Sequence, residues 1–433
     1  MAKRLQAVKG TRDLLPPETA IWAAVEATAR RVFGLYGFGE IRTPMFEDTE
    51  LFARGVGESS DIVGKEMYSF VDKGGRNVTL RPESTASVVR AYVEHGMHAL
   101  PQPVKLFYIG PQFRYERPQK GRYRQFHQIG AEWIGATAAG STGPDVEVVL
   151  MLWRFLSELG FGDLVVQINT VGDAESRRNY RQALVAYLEP FSEQLGEDSR
   201  RRLATNPLRI LDSKSPAEQV LLEGAPKLAD HLTEASRAHF RGVCAELQKA
   251  QVRTEVSPRL VRGLDYYTNT VFEIVSAGLG AQNAICGGGA YEGLVEELGG
   301  QSTYGVGFAI GEDRLVDVLP AASRARLMPT GSVVLRTLGD SPELADLAAA
   351  LAEELRAAGI PVVGLGPETP AKTYAHADHL GSPAILVLGE DELASNTVTV
   401  RTTADRAQRA VDRSNLVPYL KSLLWSVSKE EKS

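Results

Sequence analysis

Cysteine is scarce in this chain: its 433 residues hold two, Cys244 and Cys286. They lie far apart and form no CxxC pair, which argues against a disulfide framework and against a structural zinc site. Long apolar runs are missing as well. The N-terminal Met1-Ala2-Lys3-Arg4-Leu5-Gln6 is not followed by the apolar stretch of a secretory signal. No run reaches the length needed to span a bilayer, so a cytoplasmic protein without a membrane partner is expected. Nor is there an excess of basic charge. Lys and Arg number 48 against 54 Asp and Glu, a net charge of −6. That balance speaks against a protein that coats nucleic acid over its whole surface, but it allows a locally basic face. The chain has no GxxxxGK[ST] loop and no GxSxG elbow. His95/His98 and His376/His379 are spaced by three with no further ligand motif, so no metal held by protein side chains is expected.

What is present is the composition of a soluble globular protein, 43% hydrophobic and 24% charged. The length predicts two or three domains. Ile21, Val25, Ala29, Val32 and Tyr36 fall at helical spacing and predict a helix over 18–36, ended by Gly37 and Gly39. Residues 41–44 read as a short strand that Pro44 confines to an edge. A strand over 78–81 leads through Pro82 into a helix to about 96, which Ser84 or Thr85 can cap. Strands are expected at 104–109, 113–116 and 124–133, the last two antiparallel around a polar loop at 117–122. A helix at 145–160 and a strand at 164–169 follow. From 174 to 252 strands vanish and helical periodicity dominates, the texture of an inserted helical module. Strands resume at 270–275 and 303–309. Gly287-Gly288-Gly289 lies between them and permits positive φ or close approach of the backbone to a ligand. A linker is expected near 328–332. The alternating strands and helices beyond it predict a small α/β domain.

The densest chemistry lies between Phe113 and Gln128, where Arg114, Arg117, Lys120, Arg122 and Arg124 stand against one acid, Glu116. An arginine fork matches phosphate oxygens, and Tyr123 and Phe126 can stack on a base. Strand alternation puts Arg124, Phe126 and Gln128 on one face. Charge alone equally allows a solvated basic hairpin. Arg262-Gly263-Leu264-Asp265-Tyr266-Tyr267 is a second candidate, since its tyrosine hydroxyls can read a polar substrate. Gly311-Glu312-Asp313-Arg314 sets one arginine at a helix start.

Together these residues resemble the histidyl-tRNA synthetases, class II aminoacyl-tRNA synthetases, over essentially the whole chain. Residues 113–128 resemble the second class II motif and 305–314 the third. Residues 18–47 resemble the first, which builds a homodimer interface in that family. Residues 262–267 resemble a segment largely confined to histidine enzymes. The resemblance implies an α+β catalytic core with an antiparallel sheet over 1–173 and 253–327. It further implies a helical insertion over 174–252 and an α/β anticodon-binding domain over 328–433. It implies ligation of L-histidine to tRNA(His) through a histidyl-adenylate, with ATP as substrate and Mg²⁺ on its phosphates. Glu83, Ser84 and Thr85 would hold the amino group of histidine. Gln128 and Glu132 would complete that pocket, with Tyr266, Tyr267 and Tyr291 near the imidazole. Arg114 and Arg262 would contact the α-phosphate and act in catalysis. Arg122 and Arg314 would hold the outer phosphates, and Phe126 and Arg314 would sandwich the adenine. Arg117 and Gln119 are candidates for contact with the tRNA end. The chain departs from the family's usual Gly-Gly-Arg-Tyr-Asp-Gly at Ala290 and Glu292. This motivates one alternative, a non-charging paralogue that serves as the histidine-sensing regulatory subunit of an ATP phosphoribosyltransferase.

Overall fold

The computed structural model describes residues 4–57, 60, 62–119, 121–138, 140–213, 215–261, 263–276, 279, 284–328 and 331–430. Arg262 and Lys120 therefore lie outside the described residues. The chain divides into two compact units, residues 1–320 and 321–433.

In the first unit, helix α1 (Glu18–Leu35) buries Ile21, Trp22, Val25, Ala29, Val32 and Phe33, the face set by its 3.6-residue period. Then come β1 (Gly39–Glu40), β2 (Phe46–Asp48), α2 (Thr49–Val56), β3 (Tyr68–Val71), β4 (Asn77–Leu80), α3 (Thr85–Glu94), β5 (Val104–Phe113), β6 (Gln125–Gly135), α4 (Gly143–Glu158) and β7 (Leu164–Thr170). The helical stretch carries α5 (Ala174–Leu188), α6 (Glu197–Thr205), α7 (Pro216–Glu223) and α8 (Glu234–Lys249), joined by 3₁₀ turns. After it come β8 (Thr254–Val256), β9 (Thr268–Ser276), β10 (Ala284–Tyr291), α9 (Leu294–Glu297), β11 (Tyr304–Gly311) and α10 (Glu312–Asp317). Eight strands form one sheet in the order β1-β5-β6-β11-β10-β9-β7-β8. Its central pairings are antiparallel, while β1 joins β5 and β8 joins β7 in parallel. β2, β4 and β3 form a separate small sheet.

Three local expectations fail for identifiable reasons. Residues 41–44 are not a strand. Ile41 N still donates to Phe107 O, but Pro44 has no N–H, and the carbonyl and hydroxyl of Thr43 accept from Arg81 Nη1 instead of a ladder. The run 113–116 is not a strand of its own. The hairpin closes between Phe113 and Gln125, and β5 extends the other way, so that Val104 pairs with Ile134. Gly287-Gly288-Gly289 takes no positive φ. It lies inside β10, where a Cβ on Gly288 would stand 2.1 Å from the carbonyl oxygen of Gly307.

The second unit holds α11 (Ala321–Leu327), β12 (Val333–Thr337), α12 (Pro342–Ala357), β13 (Val362–Leu365), α13 (Pro370–His379), β14 (Ala384–Leu388), α14 (Glu390–Ser395), β15 (Thr397–Thr402), β16 (Gln408–Asp412) and α15 (Arg413–Glu430). Its sheet runs β13-β12-β14-β15-β16, parallel in the first three strands and antiparallel beyond. Val333, Leu335, Leu386 and Leu388 bury one face against α12 and α15, while Val334, Ile385 and Val387 bury the other against α13. Strands covered on both faces read as continuous apolar runs, and these do. No helix among the described residues is long and apolar enough to cross a membrane.

Candidate active site

The site sits on one face of the large sheet, and alternation decides which residues reach it. Along β6, Phe126, Gln128, Gly130 and Glu132 share a face. Register carries that face onto β11, where Gly307 opposes Glu132, and onto β10, where Tyr291 opposes Gly305. A Cβ on Gly307 would stand 1.9 Å from the Glu132 carboxylate, and one on Gly305 would stand 2.1 Å from the Tyr291 ring. These two positions must stay bare for the acid and the phenol to lie flat across the sheet. Ala290 alternates to the opposite face. The arginine expected there from the family pattern would therefore point away from Tyr291.

Two buried carboxylates dominate the floor. Glu83 accepts from the first backbone N–H groups of α3, Thr85 N at 2.7 Å and Ala86 N at 2.9 Å. Glu83 thus caps α3, a job expected of Ser84 or Thr85; the side chain of Ser84 makes no capping bond. Ser84 Oγ accepts from Gln112 Nε2 at 2.7 Å, and Thr85 Oγ1 donates to Glu132 Oε1 at 2.7 Å. Tyr291 donates to Glu132 Oε2 at 2.8 Å. Burial drives the Glu132 pKa up to about 8; the bonds from Thr85 and Tyr291 oppose the rise and the charge of Glu83 adds to it. Burial also raises Glu83, against its two backbone bonds and the nearby Arg114 charge. Two acids held in so little water call for a cation between them.

Tyrosines wall this floor. Tyr266 lies 4.7 Å from Tyr267 and 5.7 Å from Tyr291, ring centre to ring centre. Burial raises the Tyr108, Tyr266 and Tyr291 phenols well above 10, so all three stay protonated and able to donate. Gln112 Oε1 and Gln128 Oε1 are buried without a hydrogen-bond partner among the described residues. Such orphaned acceptors are costly unless something donates to them.

Toward the other end of the strands the site turns basic. Arg114 Nε donates to Pro82 O at 2.9 Å, and its guanidinium lies 5.3 Å from the Phe126 ring centre. Arg122, on the exposed loop, pairs with Glu116 at 3.4 Å. It lines a cavity of about 290 Å³ together with Arg114. Arg314 belongs to α10, which follows Gly311, the register partner of Gln128. Asp313 beside it accepts from His127 N at 2.8 Å and Arg12 Nη2 at 3.0 Å, and those donors keep its carboxyl low against the burial that raises it. Arg124, by contrast, is a brace. It lies 3.9 Å from the Tyr115 ring centre and donates to Glu116 O.

One cluster therefore joins Glu83, Ser84, Thr85, Gln128, Glu132, Tyr266, Tyr267 and Tyr291 with Arg114 and Phe126 at its edge. Sequence reasoning missed Tyr108 and Gln112. A signal existed: counting back by twos from Arg114 along β5 gives Gln112, Gly110 and Tyr108 on the same face. Among the described residues, no group of three or more His, Cys, Asp or Glu is arranged to hold a metal.

The family model described as histidyl-tRNA synthetase matches residues 10–315, and the anticodon-binding-domain model matches residues 332–423. The apo histidyl-tRNA synthetase of S. aureus is similar at 36% identity and a TM-score of 0.78, over 96% of this chain and 99% of that one. A histidyl-tRNA synthetase from Nostoc sp. PCC 7120 shares the fold at 21% identity and a TM-score of 0.72, over 97% of this chain and 100% of that one. So does a Bacillus halodurans structure titled as an ATP phosphoribosyltransferase regulatory subunit/histidyl-tRNA synthetase, at 22% identity and a TM-score of 0.65, over 90% of this chain and 99% of that one. With a buried acid-and-tyrosine pocket beside an arginine-lined cavity on an antiparallel sheet, and with these matches, the chain belongs to the histidyl-tRNA synthetase family of class II aminoacyl-tRNA synthetases.

Proposed function

We propose that the protein ligates L-histidine to tRNA(His) in two steps. A histidine carboxylate oxygen attacks the α-phosphorus of ATP, and the bond to pyrophosphate breaks. The 3′-terminal ribose hydroxyl of the tRNA then attacks the carbonyl of the histidyl-adenylate, and AMP leaves. The observation that carries this reading is the Glu83–Thr85–Glu132 chain, closed by Tyr291, with Arg114 bonded to the carbonyl of Pro82 next to Glu83 and lying against Phe126. Glu83, Ser84 and Thr85 hold the histidine ammonium. Gln128 and Glu132 complete the pocket, and Tyr266, Tyr267 and Tyr291 contact the imidazole. A site that satisfies a polar ring leaves its own groups unpaired against an apolar one, which rejects apolar amino acids.

Arg114 and Arg262 neutralise the α-phosphate as two anions approach, and Arg122 and Arg314 hold the outer phosphates. Phe126 and Arg314 stack on the adenine. This is positioning and electrostatics rather than covalent catalysis. Mg²⁺ enters on the phosphates of ATP, the mode that suits an ion reluctant to shed its waters. Residues 1–173 and 253–327 act as the catalytic core, 174–252 as the helical insertion and 328–433 as the anticodon-binding module. The protein works as a cytoplasmic homodimer joined through the region of α1.

Pyrophosphate exchange into ATP, run with each of the twenty amino acids, tests the reading. Exchange with histidine alone is expected. Absence of exchange, with co-purification of a phosphoribosyltransferase, would instead favour the regulatory paralogue. Arg262→Ala should abolish exchange while histidine still binds, because the α-phosphate contact matters most in the transition state.

A further inference from the structure

The helical stretch between β7 and β8 reaches into the site described above. Asn206, at the end of α6, donates from Nδ2 to Asp265 Oδ1 at 2.6 Å. Arg177 of α5 donates to Asp265 O at 3.3 Å and Tyr267 O at 3.0 Å. The segment 263–267 is thus gripped by two side chains more than fifty positions away in the sequence. A 3₁₀ turn (Pro207–Asp212) starts at Asn206, and Arg209 N donates to Asn206 O at 3.1 Å. A 3₁₀ helix repeats about every three residues, so this turn fixes where residue 209 projects relative to the Asn206 anchor.

It projects onto Gly263. A Cβ on Gly263 would stand 3.3 Å from Arg209 Nη1, so a residue without a side chain lets the guanidinium lie against this loop. Arg209 lines the same cavity of about 290 Å³ as Arg114 and Arg122. Three guanidinium groups, two from the 113–128 hairpin and one from the helical insertion, therefore line one space. Glu66 and Glu116 also line it, and Glu116 is paired with Arg122. Convergent planar forks are the arrangement that suits a polyphosphate.

We propose that Arg209, delivered by the helical insertion, is a third arginine on the outer phosphates of ATP and on the pyrophosphate that leaves. The insertion is then a working wall of the nucleotide site. This rests on the reading that Arg114 and Arg122 face ATP. The phosphate chemistry would also fit the tRNA end, but the cavity shared with Arg114 and Arg122 favours the nucleotide.

The test uses the full-length protein in histidine-dependent pyrophosphate exchange without tRNA. Arg209→Ala should lower kcat/KM for ATP by roughly 100-fold, the scale of losing one preorganised charge partner. The KM for histidine should stay unchanged. Arg209→Lys should recover part of the loss, since lysine binds phosphate as a point charge. Wild-type ATP kinetics in Arg209→Ala would overturn the assignment. So would a defect confined to tRNA charging, or equal losses for histidine and ATP with a lowered Tm. If the wild-type protein shows no exchange, the ligase reading fails on its own. Calorimetric binding of magnesium pyrophosphate then decides for Arg209: weaker binding in Arg209→Ala upholds it, and equal binding overturns it.

Discussion

The phenol of Tyr291 donates to Glu132 Oε2 at 2.8 Å and holds a buried carboxylate that no cation of the described residues touches. Removing that donor leaves Glu132 more desolvated and harder to ionise. Tyr291→Phe is therefore expected to raise the KM for histidine roughly 10-fold or more, the scale of one hydrogen bond to a charged group. Exchange kinetics with histidine and with ATP varied separately check this. Equal losses on both would mean that the phenol only supports the sheet.

The same acid predicts a pH dependence. With its pKa near 8 in the folded protein, Glu132 is mostly protonated at neutral pH. In the proposed pocket a histidine ammonium would pair with the ionised form, so binding should release a proton and tighten as pH rises toward 8. Between about pH 7.5 and 8.5 the imidazole of the ligand is already about nine-tenths neutral or more and the trend belongs mainly to the protein. Calorimetry of histidine binding in buffers of different ionisation enthalpy should detect proton release near pH 7.5. Glu132→Gln should abolish it. A binding constant that is flat over this range, with no proton exchanged, would contradict the role.

Much of this site can be read from residues alone, and the exceptions have a common cause. The arginine and aromatic spacing from Phe113 to Gln128 marks a basic hairpin, and α1 is plain from its apolar period. The acid floor is less visible. Glu132 sits in an apolar-looking run, and only the register with Gly307 explains why an acid fits there. Glu83 as the cap of α3 is hidden because Ser84 and Thr85 are the better cap formers by type. Arg177, Asn206 and Arg209 act across the join between the insertion and the core, and local periodicity carries no signal for such contacts.

Glu312 offers a test of stability. It is fully buried at the start of α10, and neither carboxyl oxygen has a hydrogen-bond partner among the described residues. Burial, with Glu26 and Asp313 adding to it and Arg30 opposing, drives its pKa up to about 9. The sign follows from linkage. Below about pH 4.5 the group is protonated in both states, and between there and 9 only the unfolded chain gives up its proton. Stability should therefore fall as pH rises across that window. Glu312→Leu, close in volume and apolar, should raise stability by roughly 1–3 kcal/mol at pH 8 and much less at pH 5. Urea unfolding at the two pH values measures it. A variant no more stable at pH 8 than the parent would show that the carboxyl is satisfied in solution.

The division of the chain makes the last prediction. Residues 321–433 form a unit with its own sheet and its own two apolar cores, while every residue assigned to histidine and ATP lies before it. On the proposed function, adenylate formation would need only the first unit, whereas charging would need the tRNA held at both its ends. Two linked contacts bind far more tightly than either alone, so losing one removes on the order of 100-fold in apparent affinity. A chain ending at Pro320 should keep histidine-dependent pyrophosphate exchange and lose tRNA charging by about that factor through KM for tRNA. Parallel assays on one preparation decide it. Charging at the full-length rate would remove the anticodon role from the second unit. Loss of exchange together with loss of the folded CD signal would mean that the first unit needs the second in order to fold.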